Sequence, residues 1–524
     1  MREFLLEIRN DRRRLNTAAV SSLVFLLIAH IYRWTNSMFN HDSLDVYQGD
    51  AKWQISLGRF LNPIYVLFRG RLTAPVLVAL FGSLFLTAAV VITVFLLHIT
   101  RISSVILCAG LMTTCETVAF LNASYLLVFD VCMLSLLFSA AAAALLVKGR
   151  GLPAFLGAVF CLVCCLGLYQ GYLEVTATLI LLSFLQQLLS AETGAKSVLK
   201  QWGVALAALF ASGLLYILCL RLITSVTGIS LSGGYNGLTH LGEKTETGLI
   251  TALWKTWSFP FWLLPRRDTA HRFLSAGAVI LAAALTAVKM GCSLYRHRIK
   301  GSRLALILLI LAVLPLGSNF VFFLSKGLKY GVMLFSFSLC PVMFLMLEEA
   351  AENGAENKEK EERKNLSGRV LGLCCGFLVL NQVIFANQLY LKKDLEAQAA
   401  LSFVTKLTDR MEQTEGYIAG ETTIIMLGNI DQNPLSTERR GFDIVNDLYV
   451  GPTHHLSLSY YKSYRNYFRN ILGYPVKMAE RGEMEPYIND PRTQEMGIFP
   501  GQDSVKMIDH YLVVRLSEDL NPVF

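Results

Sequence analysis

The sequence predicts a polytopic α-helical membrane protein of about eleven transmembrane helices, followed by a small extracytoplasmic α/β domain. Three observations carry this prediction. The 524 residues are 54% hydrophobic and only 16% charged, with a mean hydropathy of +0.47, which is more apolar surface than a soluble core needs. Apolar runs of about twenty residues, the length that a hydrocarbon core of about 30 Å requires, recur from Thr17 to Ala386. Beyond that point the composition changes, so residues 1–388 are expected to form the membrane domain and 389–524 a separate exterior domain.

The first span runs from Thr17 to Trp34 behind the basic residues Arg9, Arg12, Arg13 and Arg14, which places the N-terminus in the cytoplasm and the next loop outside. No small-residue cleavage site interrupts it, so it is expected to stay as a helix. Further spans follow at Leu72 to His98, Ser103 to Leu121 and Tyr125 to Val147, and then two shorter ones, Pro153 to Tyr169 and Tyr172 to Leu189, hinged at Gln170–Gly171. The seventh is Val204 to Thr227. A polar segment from Gly228 to Arg272 then carries Trp254, Trp257 and Trp262 among prolines, which suits an interfacial or re-entrant piece. Spans eight to eleven are Phe273 to Met290, Leu304 to Leu324, a segment ending at Glu348, and Val370 to Ala386. Residues 348–364 read as a solvated cytoplasmic linker. Every loop assigned to the inside carries Lys or Arg, so the net charge of +8 reports membrane orientation and excludes a nucleic-acid face.

The eleven cysteines all lie in or beside apolar spans, and neither a disulfide framework nor a metal-ligand spacing results. In the tail, residues 392–411 have an amphipathic helical pattern, while 422–427 and 511–516 are strand-like. The aromatic and basic segment 460–470 suits packing on the domain core or membrane surface better than ligand binding.

The chemistry concentrates in the first external loop, residues 35–71. It holds His41, three acids (Asp42, Asp45, Asp50) and four cations (Lys52, Arg59, Arg69, Arg71), with an apolar run from Ile55 to Phe68 punctuated by Pro63. An acid beside the membrane plane suits an enzyme that deprotonates an acceptor hydroxyl while cations hold a lipid-phosphate leaving group. The acid would be Asp42, with Asp45 or Asp50 in support, and the cations would come from Arg59, Arg69, Arg71, Lys326 and Lys329. Loop acids are mostly solvated and membrane-edge cations mostly snorkel, so the collection carries the inference rather than any single residue. Within the spans, Glu174 is a costly acid that either serves the site or braces the bundle, and Gln170 beside Tyr169 either binds a sugar hydroxyl or satisfies the helical break.

His-Asp-Ser-Leu at 41–44, Trp-Gln-Ile-Ser-Leu-Gly-Arg-Phe-Leu-Asn-Pro at 53–63 and Phe-Arg-Gly at 68–70 together resemble the first external loop of the GtrII-type membrane glucosyltransferases of the GT-C class. Gly-Leu-Tyr-Gln-Gly-Tyr at 167–172 is similar to a Tyr-Gln element of that family, and residues 501–516 resemble its exported tail. The resemblance implies a GT-C-like fold and transfer of a glucosyl unit from a polyprenyl-phosphate sugar, undecaprenyl-phosphate glucose, to a cell-surface polysaccharide outside the bacterial cytoplasmic membrane. The early-loop acid of the family falls on Asp42. No cofactor is required; a divalent metal on Asp42 and Asp45 is compatible with a lipid-phosphate donor, but nothing demands it.

Absences narrow the alternatives. The chain has no Asp-x-Asp pair for a nucleotide sugar, no GxxxxGK[ST] phosphate loop and no Trp-Trp-Asp motif. A transporter of a lipid-linked glycan would distribute charges through several spans, whereas here the ionisable residues concentrate in loops and the spans read as largely clean. A polysaccharide ligase or polymerase is the chemically neighbouring alternative.

Overall fold

The computed structural model describes residues 1–45, 47, 50–189, 194–232, 248–264, 270–296, 298–325, 327, 329–352, 366–433, 435, 458 and 461–522. The helices are α1 (Arg2–Asn10), α2 (Arg12–Thr35), α3 (Ala51–Ser56), α4 (Asn62–Arg69), α5 (Pro75–Leu96), α6 (Ile102–Thr113), α7 (Glu116–Ser124), α8 (Phe129–Lys148) and α9 (Gly151–Leu168). They continue with α10 (Leu173–Leu189), α11 (Ala195–Thr227), α12 (Leu249–Leu263), α13 (Arg272–Arg296), α14 (Gly301–Gly317), α15 (Phe320–Leu324), α16 (Phe335–Glu352) and α17 (Leu366–Glu412).

Among the described residues nine helical segments are long and apolar enough to cross a membrane, against the eleven expected. The other two expected spans are present as α14, which has 17 residues, and α16, whose end carries Glu348, Glu349 and Glu352. Glu348 and Glu349 do not belong to a solvated linker. They are buried, Glu348 pairing with Lys289 and Glu349 accepting from the backbone N–H of Thr100 at 2.7 Å and that of Arg101 at 3.3 Å. Residues 353–365 of that expected linker lie outside the described residues, as does most of the 228–272 segment apart from α12.

Two spans are interrupted. The third breaks at Thr114–Cys115 between α6 and α7, where the hydroxyls of Thr113 and Thr114 bond back to the carbonyls of Ala109 and Gly110 and compete with the helical ladder. The hinge between spans five and six falls where expected: α9 stops at Leu168, Tyr169 is extended, and a 3₁₀ turn covers Gln170–Tyr172. The apolar run 55–68 is two helices, not one. Gly58 turns the chain at φ 80°, and Pro63 opens α4, where its missing N–H and fixed φ do no harm.

Contacts sort the molecule into two ends. At one end the Met1 amino group reaches the Lys148 carbonyl at 3.1 Å, Arg14 the Val94 carbonyl at 2.7 Å and Arg303 the Leu188 carbonyl at 2.6 Å. At the other, the 36–74 loop meets the start of α8 and the Gln170 turn that precedes α10, and α10 in turn meets the 318–336 connection between α14 and α16.

The tail carries a sheet of strands β1 (Thr423–Leu427), β2 (Lys477–Met478), β3 (Val505–Ile508) and β4 (Tyr511–Arg515) in the order β2-β1-β4-β3. β1 is parallel to β2 and β4, and β3–β4 is an antiparallel hairpin. Alternation divides β1 between two covers: Ile424 and Met426 pack with Phe403, Leu407 and Met411 of α17, while Ile425 and Leu427 pack with Met484 and Met496. The single helix α17 thus runs through the bundle and on into the sheet domain, without a break at 388–389. Tyr464, Tyr467 and Phe468 of the aromatic segment are buried in this domain core.

The first loop is pinned to that domain. Leu44 is fully buried among the domain's apolar residues, and Asn470 donates to its carbonyl at 2.8 Å. Truncation of Leu44 to Ala removes about 2–4 kcal/mol of packing and should release the loop without unfolding the bundle. Limited proteolysis of the full chain in detergent checks this: cleavage between residues 36 and 50 should accelerate while the other fragments keep their wild-type pattern.

Candidate active site

The segment Leu57–Leu61 is fastened to the bundle at consecutive points. The Gln170 side-chain amide donates to the Leu57 carbonyl at 3.0 Å, the Tyr216 hydroxyl to the Gly58 carbonyl at 3.1 Å, and the Leu61 N–H to the Gly167 carbonyl at 2.9 Å. The backbone approaches closely at Gly167, where an added Cβ would lie 3.0 Å from the Leu61 and Phe60 side chains. Held in this way, Arg59 lays its guanidinium over the Tyr169 ring, 4.3 Å from the centroid. The structure therefore joins three of the expected residues, Arg59, Tyr169 and Gln170, and adds Tyr216, which also accepts from Gln170 at 3.1 Å.

Two buried ion pairs flank this point. Arg69, at the end of α4, reaches Asp130 at 3.0 Å, and both side chains are fully shielded. The Leu127 carbonyl, at 3.2 Å, takes part of the guanidinium, and the Tyr65 hydroxyl donates to Asp130 at 3.0 Å. Burial, with the Asp130 carboxylate beside it, holds the Tyr65 phenol far above its ordinary range, so it acts as a donor. On the other flank Glu174 binds Lys329 at 2.7 Å, the Ser336 hydroxyl at 3.1 Å and the Val321 N–H at 3.2 Å. Lys329 also donates to the Asn319 side-chain oxygen at 2.6 Å. Each acid stands in the first turn of a helix, Asp130 in α8 and Glu174 in α10, where the helix dipole favours negative charge.

These pairs change the roles expected from sequence. Arg69 and Lys329 are neutralised, and Glu174 braces α10 against the 318–336 connection. The spans are also less clean than they read, because Glu116 and Asp130 are buried in them alongside Glu174. Asp130 was missed, although the rule that singles out an acid inside a span marks it as clearly as Glu174.

The remaining described candidates make local contacts of their own. Asp42 is half exposed, 3.5 Å from the His41 ring, in a turn closed by Asn40 and Ser43. Asp45 is exposed. Asp50 caps α3 by accepting from the N–H of Lys52 at 2.9 Å, an ordinary N-cap role. Arg71 donates to the Tyr47 hydroxyl at 3.0 Å. Lys326 lies outside the described residues. Among the described residues no group of three or more His, Cys, Asp or Glu side chains is placed to hold a metal ion.

A bundle of long apolar helices, with two buried ion pairs and the Arg59 stack beneath an ordered loop at one end, defines a polytopic membrane protein with a polar site at the edge of its apolar region. Residues 31–346 match the family described as glucosyl transferase GtrII, and the chain belongs to that family. The match takes in the first loop, both ion pairs and the Arg59 site, and it stops short of the sheet domain. No curated protein and no solved structure matches the chain.

Breaking the buried pair by Asp130→Asn should cost about 3–5 kcal/mol, because it strands the Arg69 charge. The double change Arg69→Met with Asp130→Leu should recover much of that loss. Thermal unfolding of the purified variants in detergent reads both, and equal losses in the two would refute the pairing as the cause.

Proposed function

We propose that this protein is a glycosyltransferase that moves a glucosyl unit from a polyprenyl-phosphate donor, undecaprenyl-phosphate glucose, to a cell-surface polysaccharide at the outer face of the bacterial cytoplasmic membrane. The family membership supports glucosyl transfer, and Asp42 carries the mechanism: an accessible carboxylate in an ordered loop, fixed between the helix bundle and the sheet domain. The basic residues Arg14, Arg101, Lys148, Lys289 and Arg303 gather at the opposite end, which favours a cytoplasmic N-terminus and an extracytoplasmic loop and C-terminal domain.

In this reading the acceptor hydroxyl oxygen attacks the anomeric carbon of the donor. Its proton passes to Asp42, with Asp45 as the supporting acid. The bond from the anomeric carbon to the phosphate oxygen breaks, and polyprenyl phosphate leaves with the electron pair. Arg59 and Arg71, with Lys326 of the same expected set, offset the developing charge, and His41, Asp50, Tyr169 and Gln170 shape the surroundings, while Arg69 and Lys329 stay with Asp130 and Glu174 as braces of the site. This chemistry requires no cofactor.

Transport of a lipid-linked glycan is the second reading, because charged groups do occur within the bundle. Asp130 and Glu174 are matched by cations near the loop and Glu348 is matched by Lys289 at the opposite end, which suits fixed pairs better than a path across the membrane.

Membranes containing Asp42→Asn at wild-type expression, given radiolabelled undecaprenyl-phosphate glucose and a crude surface-glycan acceptor, should transfer label about 10²–10⁴-fold more slowly than wild type. Asp45→Asn should cost less. Wild-type vesicles that translocate a lipid-linked glycan but never label the polymer would replace the transferase with the transporter.

A further inference from the structure

We infer that Arg59, stacked on Tyr169, is the subsite that takes the phosphate of a lipid-borne phosphosugar; this rests on the transferase reading of the same end of the bundle. Charge pairing decides among the cations. Arg69 is matched by Asp130 and Lys329 by Glu174, each pair without exposed side-chain surface. Neither can turn to a second anion without stranding its own carboxylate. Arg71 is exposed and spends a donor on the Tyr47 hydroxyl.

Arg59 differs from all of these. Its guanidinium lies on an aromatic face with no carboxylate in ion-pair contact among the described residues, and its Nε is buried without a hydrogen-bond partner. A buried donor left unmade is costly, and an arriving anionic oxygen removes that cost. Gln54, whose backbone carbonyl accepts from the Arg59 N–H at 2.9 Å, keeps its side-chain oxygen buried and unpartnered as well. An unfilled cationic donor and an unfilled acceptor on one short segment match a ligand with both acidic oxygens and hydroxyls, which a phosphosugar has.

The segment does not need to reorganise to receive it. Leu57, Gly58 and Leu61 are already tied to α9, α11 and the Gln170 turn. The lipid source follows from α4, which begins three residues after Arg59 and leaves Ile64, Leu67 and Phe68 exposed. That apolar surface lies alongside the tail of a lipid phosphate and offers nothing to a free anion.

The test is binding, separate from transfer. Purified full-length protein in detergent is titrated with a short-chain polyprenyl monophosphate and with inorganic phosphate, followed by tryptophan fluorescence. Arg59→Gln should weaken lipid-phosphate binding at least about tenfold and Arg59→Lys by less, since lysine keeps the charge but loses the planar stack. Lys52→Gln, which removes the same charge from the neighbouring exposed helix, should change nothing. Unfolding temperatures of the variants should match wild type, and Arg59→Lys provides the folded comparison if Arg59→Gln does not. Wild-type affinity in both Arg59 variants, or equal affinity of wild type for the lipid and for inorganic phosphate, overturns the assignment. Loss of lipid-phosphate binding in Arg59→Gln, in a protein that transfers no sugar, keeps the anion site and removes the transferase reading. Active transfer in wild type and in both Arg59 variants removes the anion site alone.

Discussion

The carboxylate of Glu174 has no exposed surface, and much of the loop end is arranged to keep it paired. An ion this deep, if unmatched, would cost several kcal/mol. Its partners come from separate parts of the chain: Lys329 and Val321 from the connection after α14, and Ser336 from the start of α16. Asn319 then links Lys329 to the Thr256 carbonyl of α12 at 2.8 Å. Four segments that lipid would otherwise allow to slide are fixed in one arrangement, because apolar packing alone gives little preference between helix faces inside a bilayer. The pair Arg69–Asp130 does the same on the other flank, locking the interfacial helix α4 onto α8.

Pairing has an electrostatic consequence for the site. With Asp130 and Glu174 neutralised internally, the field at the loop end is set by the groups outside those pairs, among them Asp42 at the surface and Arg59 on its aromatic support. Those two differ in exposure as the proposed tasks require: a base that meets a polymeric acceptor must be open to solvent, as Asp42 is, and a cation that holds a lipid phosphate gains strength from partial burial, where water competes less, as in half-buried Arg59.

Much of this architecture was legible in the sequence for a simple reason: membrane spans are long, contiguous and apolar, so composition reports them directly. The hinge at Gln170–Gly171 and the two strands near 423 and 511 were visible on similar local grounds. What sequence could not supply was partnership. Arg69 and Arg59 look alike, ten residues apart in one loop, yet among the described residues one has a buried carboxylate 61 residues away and the other has none, and only the packing of α4 against α8 separates them. Glu348 and Glu349 looked like the start of a charged linker because the acids that follow them are continuous in sequence; the Thr100 and Arg101 N–H groups that bind Glu349 are not. Asp50 reads the same in sequence whether it caps a helix or serves an acidic site, because an N-cap and a catalytic acid are chemically the same side chain.

Arg33 shows how the placement of Asp42 is divided along the chain. Read at the end of a span, it is a cation that should snorkel to the headgroups. In the fold it turns inward and is buried, donating to the carbonyls of Asn122 at 2.8 Å, Asn36 at 2.9 Å and Met38 at 2.9 Å. Asn122 lies in the last turn of α7, where the final carbonyls lack helical partners and the dipole favours a cation. One side chain therefore closes a helix and sets the direction in which the loop departs. A few residues later Leu44 enters the core of the sheet domain, so Asp42 is suspended between a clamp inside the residues matched by the family and a clamp beyond them. The proposed base belongs to the matched segment, but Asn470 and the apolar residues that hold Leu44 belong to the tail. Under the transferase reading, the approach of an acceptor to Asp42 is thus shaped by the domain that the family match does not include.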